Sequence, residues 1–333
     1  SRRTYDRRES VVLDDQLREL SSQPHLGPPN EGGRPHTGVH RRTLRTILRA
    51  RLGDSFHPGT PVTGYTETST HVTATLADGS TAEGDVLVGA DGIRSAVRAR
   101  KLPGTTVIDT GVRGLGVFGR TPLTPQLAAQ LPPHLFEGVI IAADRTGSRL
   151  LIAVYRPRQR PEEAAAAIAP DVALEPVEDY VMISCSVPPS TVIPPASQWT
   201  NATPAMLRDA MLDAIHGWHP AARALVSNVD LNSIFVIPFG FLEPAPPWEP
   251  SRVTLVGDAA HAMLPTLGLG ANLALRDAAH LLDQLSAGDK PLTAAIGAYE
   301  QEMRDYVYPF MRMTMDHDRQ FGGGALQGRD QAR

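Results

Sequence analysis

Residues 252–272 constrain the fold more than any other stretch of the chain. They open with Val253, Thr254, Leu255 and Val256, a short β-forming run of the kind that makes a parallel strand covered on both faces. A turn at Gly257 and a tight loop follow. From about Gly270 to Leu285 the sequence is rich in Ala and Leu and predicts a helix. Gly268 and Gly270 let the backbone come close to a ligand just before that helix. The helix start offers N–H groups without intrahelical partners and the positive end of a dipole. Asp258 stands at the carboxyl end of the strand, where open α/β sheets bind ligands, and can accept hydrogen bonds from a hydroxylated molecule.

The spacing G-D-A-A-H-x-x-x-P-x-x-G-x-G-x-N from Gly257 to Asn272, followed by Asp277-Ala278, resembles the second flavin motif of the class A FAD-dependent monooxygenases. These are single-component aromatic hydroxylases, typified by para-hydroxybenzoate hydroxylase. The resemblance implies that Gly257 and Asp258 meet the ribityl chain of FAD. It also implies that the backbone of Pro265, Gly268, Leu269, Gly270, Ala271 and Asn272 lies along the isoalloxazine. Pro265 would border the reacting part of the flavin, and His261 would be structural. Reduced flavin carries negative charge on one ring edge, and a helix N-terminus stabilises an anion there.

Two further blocks precede this one in the family's order. Arg41, Leu44 and Leu48 match an R-x-x-L-x-x-x-L segment that opens an amphipathic helix with Leu44, Ile47 and Leu48 on one face. The resemblance implies that Arg41 reaches the flavin or its phosphates and shares one cofactor groove with Asp258; an Arg fork suits either acceptor. Arg42 and Arg45 read as solvated arginines. The run Asp85–Ala90 predicts a buried strand and leads into Asp91-Gly92-Ile93-Arg94-Ser95-Ala96-Val97-Arg98, which matches the family's D-G-x-x-S-x-x-R. The resemblance links Asp91 and Gly92 to the FAD pyrophosphate and to handling of NADPH. Ser95 can cap the following turn, and Arg98 can pair with Asp85 or Asp91 in a structural role.

The implied architecture is α/β: a Rossmann-like three-layer FAD/NAD(P)-binding fold with an inserted mixed β-sheet substrate subdomain. The expected domains are 1–104 with 251–320 for FAD, 105–250 for substrate, and a frayed tail at 321–333. The first βαβ unit of such a fold is expected to be absent, so the chain reads as a fragment that holds FAD poorly. A G-x-G-x-x-G string does occur at 114–119, but Pro122 and Pro125 stand where its helix should run, so it predicts a Gly-rich strand instead.

Elsewhere the pattern is of short strands and loops. Val11–Leu13, Leu150–Tyr155 and Val181–Val187 are β-like, Asp78-Gly79 predicts a hairpin turn between Val72–Leu76 and Thr81–Ala82, and Pro188-Pro189 and Pro194-Pro195 mark loops. Residues 162–169 make a short Ala-rich helix or a loop. Thr203 with Pro204 opens a helix whose apolar face runs from Met206 to Ile215, Gly217 ends it, and His219 reads as structural. The run 234–241 predicts one strand with Phe235, Phe239 and Phe241 on the same face. Core packing explains them individually, while Phe239 and Phe241 are also candidate aromatic-substrate contacts. A long helix opens at Pro291, and Pro309 should end or kink it.

With 41% hydrophobic and 20% charged residues in 333, the chain can bury a sizeable core. Its net charge of −4 gives no reason to expect nucleic acid. No apolar run is long enough to cross a bilayer and no secretory signal is present, so a cytoplasmic protein is the simplest expectation. Cys185 is the only cysteine and no histidine cluster has metal-ligand spacing, so neither an intrachain disulfide nor a metal is expected. No nucleophile elbow is present, which suits a protein whose cofactor carries the chemistry.

The resemblance implies a monooxygenase. NADPH or NADH would reduce FAD, O2 would add to form a C4a-hydroperoxide, and one oxygen would pass to an aromatic or polyketide-like small molecule by hydroxylation or epoxidation. A relative that no longer holds FAD, and a flavin reductase of the same fold, are the alternatives. The oligomeric state is open.

Overall fold

A computed structural model describes residues 9–24, 38–109, 115–136, 138–186, 202–265 and 268–321. In chain order its strands are β1 (Glu9–Leu13), β2 (Glu19–Pro24), β3 (Val62–Glu67), β4 (Val72–Leu76), β5 (Thr81–Gly84), β6 (Leu87–Gly89), β7 (Val107–Asp109) and β8 (Leu115–Pro122). They continue with β9 (Val139–Ala143), β10 (Arg149–Tyr155), β11 (Tyr180–Ser186), β12 (Phe235–Pro238), β13 (Gly240–Leu242) and β14 (Val253–Leu255). The α-helices are α1 (Arg41–Arg49), α2 (Ala96–Lys101), α3 (Pro125–Gln130), α4 (Pro161–Ile168) and α5 (Pro204–Ala214), then α6 (Pro220–Ser227), α7 (Asp258–His261), α8 (Gly270–Ser286) and α9 (Leu292–Phe321).

The backbone divides into two compact units. The first comprises residues 1–56 and 112–238. Its sheet runs β12-β8-β11-β10-β9-β1-β2, antiparallel throughout except for the parallel pair β1 and β9. Alternation along the strands puts Ile140, Ala142, Leu150, Ile152, Val181, Ile183 and Cys185 into one core. Leu207 and Met211, one helical turn apart on α5, join the same core with Ile215 and with Ala222 and Leu225 of α6. Thr203 caps α5 by accepting from the Met206 N–H, and His219 caps α6 through Nδ1, which accepts from the Ala221 N–H at 3.1 Å. Met206, expected on the apolar face of α5, is exposed instead. Residues 115–119 of the G-x-G-x-x-G string lie in β8, as their context predicts. A Cβ at Gly119 would come within 2.6 Å of Val229, so glycine there admits a close neighbour across the sheet.

The second unit comprises residues 57–111 and 239–333. Here β14 pairs in parallel with β6, and all three residues of β14 are buried. The expected hairpin is present as β4 and β5, with Gly79 at φ +85° in the turn. Helices α8 and α9 supply Leu273, Leu281, Tyr299, Met303, Val307 and Met311 to a core shared with Val253 and Leu255. Tyr299 donates its hydroxyl to the Leu255 carbonyl at 2.9 Å, and Thr254 donates to Glu300 at 2.9 Å, so α9 is fastened along β14.

Three features differ from the sequence-based expectations. Helix α9 continues through Pro309 instead of ending there. Proline removes one N–H donor, but buried Val307, Tyr308, Met311, Thr314 and Met315 hold the helix on both sides of it. The run 234–241 is two strands, not one, because β12 ends at Pro238 and β13 starts at Gly240 in the other unit. The compact units also divide elsewhere than the expected domains: residues 1–56 pack with 112–238, and the later boundary falls after Pro238 rather than at 250. The Pro188-Pro189 and Pro194-Pro195 loops and the tail from residue 322 lie outside the described residues.

Candidate functional site

Strand β14 delivers the chain to Gly257, whose φ of +58° L side chains rarely adopt. A Cβ there would stand 2.9 Å from the Ala274 Cβ, so the turn packs directly on α8. Asp258 opens the one-turn helix α7 and is exposed. No hydrogen bond occupies its carboxylate among the described residues. A Cβ placed on Gly270, the first residue of α8, would lie 3.9 Å from Asp258 Oδ1, so the carboxylate adjoins that helix start. Helix α8 has no side-chain cap and no acidic residue in its first turn, and its leading N–H groups therefore remain available to a ligand.

A buried carboxylate holds this turn from behind. Asp277 Oδ2 accepts from the Gly257 N–H at 2.7 Å and lies 2.6 Å from His261 Nε2. Both side chains are almost fully buried. One carboxylate on α8 thus fixes residues on either side of Asp258, and the expectation that His261 is structural agrees with this packing. The sequence marked Asp277 only as a motif position; its two partners lie 16 and 20 residues away and leave no spacing signal.

Arg98 supplies a second brace. It is buried, and it donates to the Ala259 carbonyl at 3.0 Å and to the Ile93 carbonyl at 2.5 Å. The expected structural role stands, but through backbone carbonyls rather than through hydrogen bonds to Asp85 or Asp91. Asp91 Oδ2 accepts from the Ala96 N–H at 2.7 Å, and Ser95 Oγ accepts from the Arg98 N–H at 2.8 Å, so both cap α2. Gly92, at φ +80°, has open space around its missing Cβ.

The remaining candidates separate by location. Gly257, Asp258, Pro265, Gly268, Leu269, Gly270, Ala271 and Asn272 all lie in the second unit, and Pro265, Gly268, Ala271 and Asn272 are exposed. Residues 266 and 267 of the same loop lie outside the described residues. Phe241 is 1% exposed and packs with Ile108, Leu264 and Met315, so it serves the core beneath the loop rather than an open pocket. Phe239 is partly buried against that cluster. Phe235 belongs to the first unit, where its ring stacks on Phe118. Arg41 is also in the first unit, exposed at the start of α1. No residue of α1 is fully buried, and Ile47 and Leu48 of its apolar face are exposed.

Other chemistry has little to build on. Cys185 is buried, and burial pushes its thiol up to about 12, far from a thiolate at neutral pH. No group of three metal-ligating side chains occurs among the described residues. No helix among them is long and apolar enough to cross a membrane. The residues at the Asp258 turn do fit FAD: an unpartnered carboxylate for its polyhydroxylated chain, uncapped N–H groups for an anionic ring edge, and glycines that admit close approach.

Comparison with known proteins agrees with this assignment. The FAD binding domain family matches residues 242–311. A dual O-methyltransferase/FAD-dependent monooxygenase of Phaeosphaeria nodorum is 33% identical over 273 residues, covering 75% of this chain and 29% of that protein. Salicylate hydroxylase of Pseudomonas putida is 29% identical over 301 residues, covering 86% of this chain and 64% of that one. The chain therefore spans less than two thirds of the length of either relative. Among solved structures, a Photorhabdus luminescens protein assigned as an FAD-containing monooxygenase superposes with a TM-score of 0.73 at 26% identity, over 96% of this chain and 79% of that one. Klebsiella pneumoniae HpxO, solved with FAD and uric acid, shares the fold with a TM-score of 0.72 at 22% identity, over 97% and 74% of the two chains. From the order of its motifs, its matched FAD-binding segment and its α/β fold, the chain is similar to the class A FAD-dependent monooxygenases.

Proposed function

We propose that this chain works with FAD, a reduced nicotinamide cofactor (NADPH or NADH) and O2 to place one oxygen atom on an aromatic or polyketide-like small molecule, by hydroxylation or epoxidation. The other oxygen leaves as water, with the two electrons taken from the nicotinamide. The observation that carries this reading is the exposed Asp258 carboxylate beside the uncapped start of α8. Relatives named for phenolic and polycyclic oxygenation, among them salicylate hydroxylase and a phenazine 1,6-dicarboxylic acid hydroxylase, support the substrate class.

FAD, when bound, supplies the redox and oxygen-activating chemistry. The work of the protein is to bind, orient and keep water out. Asp258 would accept hydrogen bonds from the hydroxylated chain of FAD, and the N–H groups of Gly270, Ala271 and Asn272 would stabilise the negative charge of the reduced flavin. Gly268, at φ +64°, would give the loop its close approach, and Pro265 would help to hold the flavin. Asp91 and Gly92 would serve the pyrophosphate side. Phe239 offers an aromatic wall to the substrate.

The test titrates the purified chain with FAD while following flavin fluorescence, then measures NADPH or NADH oxidation and oxygen uptake with phenolic and polyketide substrates. Flavin retention with oxygenated product upholds the reading. Flavin retention with nicotinamide oxidation alone indicates a reductase, failure to hold flavin indicates the relative that no longer retains FAD, and a flavin affinity unchanged by Asp258→Ala overturns the site assignment.

A further inference from the structure

Arg42, Arg45 and Arg49 recur at i, i+3 and i+7 on α1, so helical periodicity puts them on one stripe. All three line a groove of about 420 Å³ within the first unit, whose facing wall is the segment Ala173–Val177. That volume lies in the range of small-molecule sites. Arg41 is not part of the lining; it shares its side of the helix with Leu44 and Leu48.

The charges in this groove do not balance. The facing segment is acidic, but Asp171 pairs with Arg51 at 3.8 Å, and Asp179 pairs with Arg156 at 2.9 Å and with Arg160 at 3.1 Å. Glu175 is the one carboxylate in the lining, against three guanidinium groups. None of the three arginines is in an ion pair among the described residues. Arg49 is held over the Phe56 ring at 5.0 Å. Like charges at this helical spacing repel by a few tenths of a kcal/mol per pair, a cost that a bound anion removes. A second cavity of about 270 Å³ adjoins the groove through His40, Arg42, Glu175 and Val177; it adds Arg120 and the Tyr180 ring but also Glu178, Asp179 and Asp230, so the excess of positive charge belongs to the first groove. Arg120 Nη1 lies 3.3 Å from His40 Nε2 and its guanidinium stands 5.6 Å over Tyr180, in that mixed-charge neighbour rather than in the groove itself.

We propose that the Arg42/Arg45/Arg49 groove binds the phosphate groups of a phosphorylated small molecule of the nucleotide class. Guanidinium forks match phosphate oxygens bidentately, and three on one stripe suit a diphosphate rather than a single carboxylate. The proposal deepens the proposed function, since the diphosphate of a nicotinamide dinucleotide is one source of this chemistry and another phosphorylated metabolite is the other.

Titration calorimetry with sodium pyrophosphate and with ADP tests it, on the unaltered chain, the Arg42→Gln/Arg45→Gln variant and Asp258→Ala. Binding should weaken on the order of tenfold or more in the double variant, and should weaken further as salt is raised. Asp258→Ala should leave pyrophosphate affinity within about twofold. Thermal midpoints measured alongside separate loss of the site from loss of the fold; a destabilised double variant is replaced by Arg45→Gln alone. Displacement of ADP by NADPH identifies the dinucleotide as the source. Retention of ADP against NADPH identifies another phosphorylated metabolite, and either result upholds the site. Equal affinity in the unaltered and Arg42→Gln/Arg45→Gln chains, loss only in Asp258→Ala, or no binding at low salt overturns it. Flavin titration of the same variants keeps failure of the FAD assignment distinct, because FAD can fail to bind while the arginine-dependent pyrophosphate binding persists.

Discussion

Arg98 Nη1 donates to the Ala259 carbonyl at 3.0 Å across 161 residues of sequence. The bond joins the Asp91–Arg98 motif to the short helix that carries Asp258, and the second Arg98 bond, to Ile93, closes its own motif. Arg98→Met keeps much of the buried bulk but leaves two carbonyls without their donor. It should lower stability by roughly 2–4 kcal/mol. Urea unfolding reads this directly, and an unchanged midpoint would remove the bracing role.

Asp258 and Asp277 should behave oppositely, although both belong to the same motif. Asp258 is exposed and makes no protein hydrogen bond among the described residues. Asp258→Ala should leave unfolding within about 0.5 kcal/mol and weaken FAD binding by one to two decades, roughly 1.5–3 kcal/mol. Asp277→Ala strands the buried Gly257 N–H and His261 ring, and should cost roughly 3–5 kcal/mol of stability. Paired melts and flavin titrations check the contrast, which fails if both variants change the same quantity.

Two glycines in the loop offer a steric comparison. Gly257 and Gly268 have φ of +58° and +64°, yet only Gly257 has a neighbour where a Cβ would go. Gly268→Ala should cost on the order of 1 kcal/mol through backbone strain alone, and Gly257→Ala clearly more. Comparable melting temperatures for the two variants would contradict the packing of Gly257 on Ala274.

Glu300 gives the second unit a dependence on pH. Burial raises its carboxyl above the ordinary range, outweighing the opposing effects of Trp248, Lys101, Thr254 and Arg304. The folded state therefore holds this proton more tightly than the unfolded chain does. Its stabilising contribution is complete below the ordinary glutamate range and is lost as pH rises through the folded value. Glu300→Gln removes the titrating group while keeping an acceptor for Thr254. Melting temperatures between about pH 4 and pH 8 should fall less on raising pH in the variant than in the unaltered chain. Parallel profiles would show that Glu300 does not titrate differently on folding.

The strand, turn and helix around Asp258 were legible in the sequence because each is a local property. An apolar run makes β14, glycine permits the turn, and an Ala/Leu-rich stretch makes α8 from Gly270 to Ser286. The same holds for the caps at Ser95 and Thr203 and for the Asp78-Gly79 turn. Periodicity reports which side of an element is apolar, but not what covers it. Only the tertiary structure decided that α9 runs through Pro309, that Phe241 lies in a core, and that the residues from 234 to 241 divide between two units. It also decided that Arg98 meets backbone carbonyls, that Asp277 reaches back to Gly257 and His261, and that Arg42 and Arg45 share a groove. Buried polar groups must find partners wherever folding brings them, and that pairing energy depends on position in space rather than on neighbours in sequence.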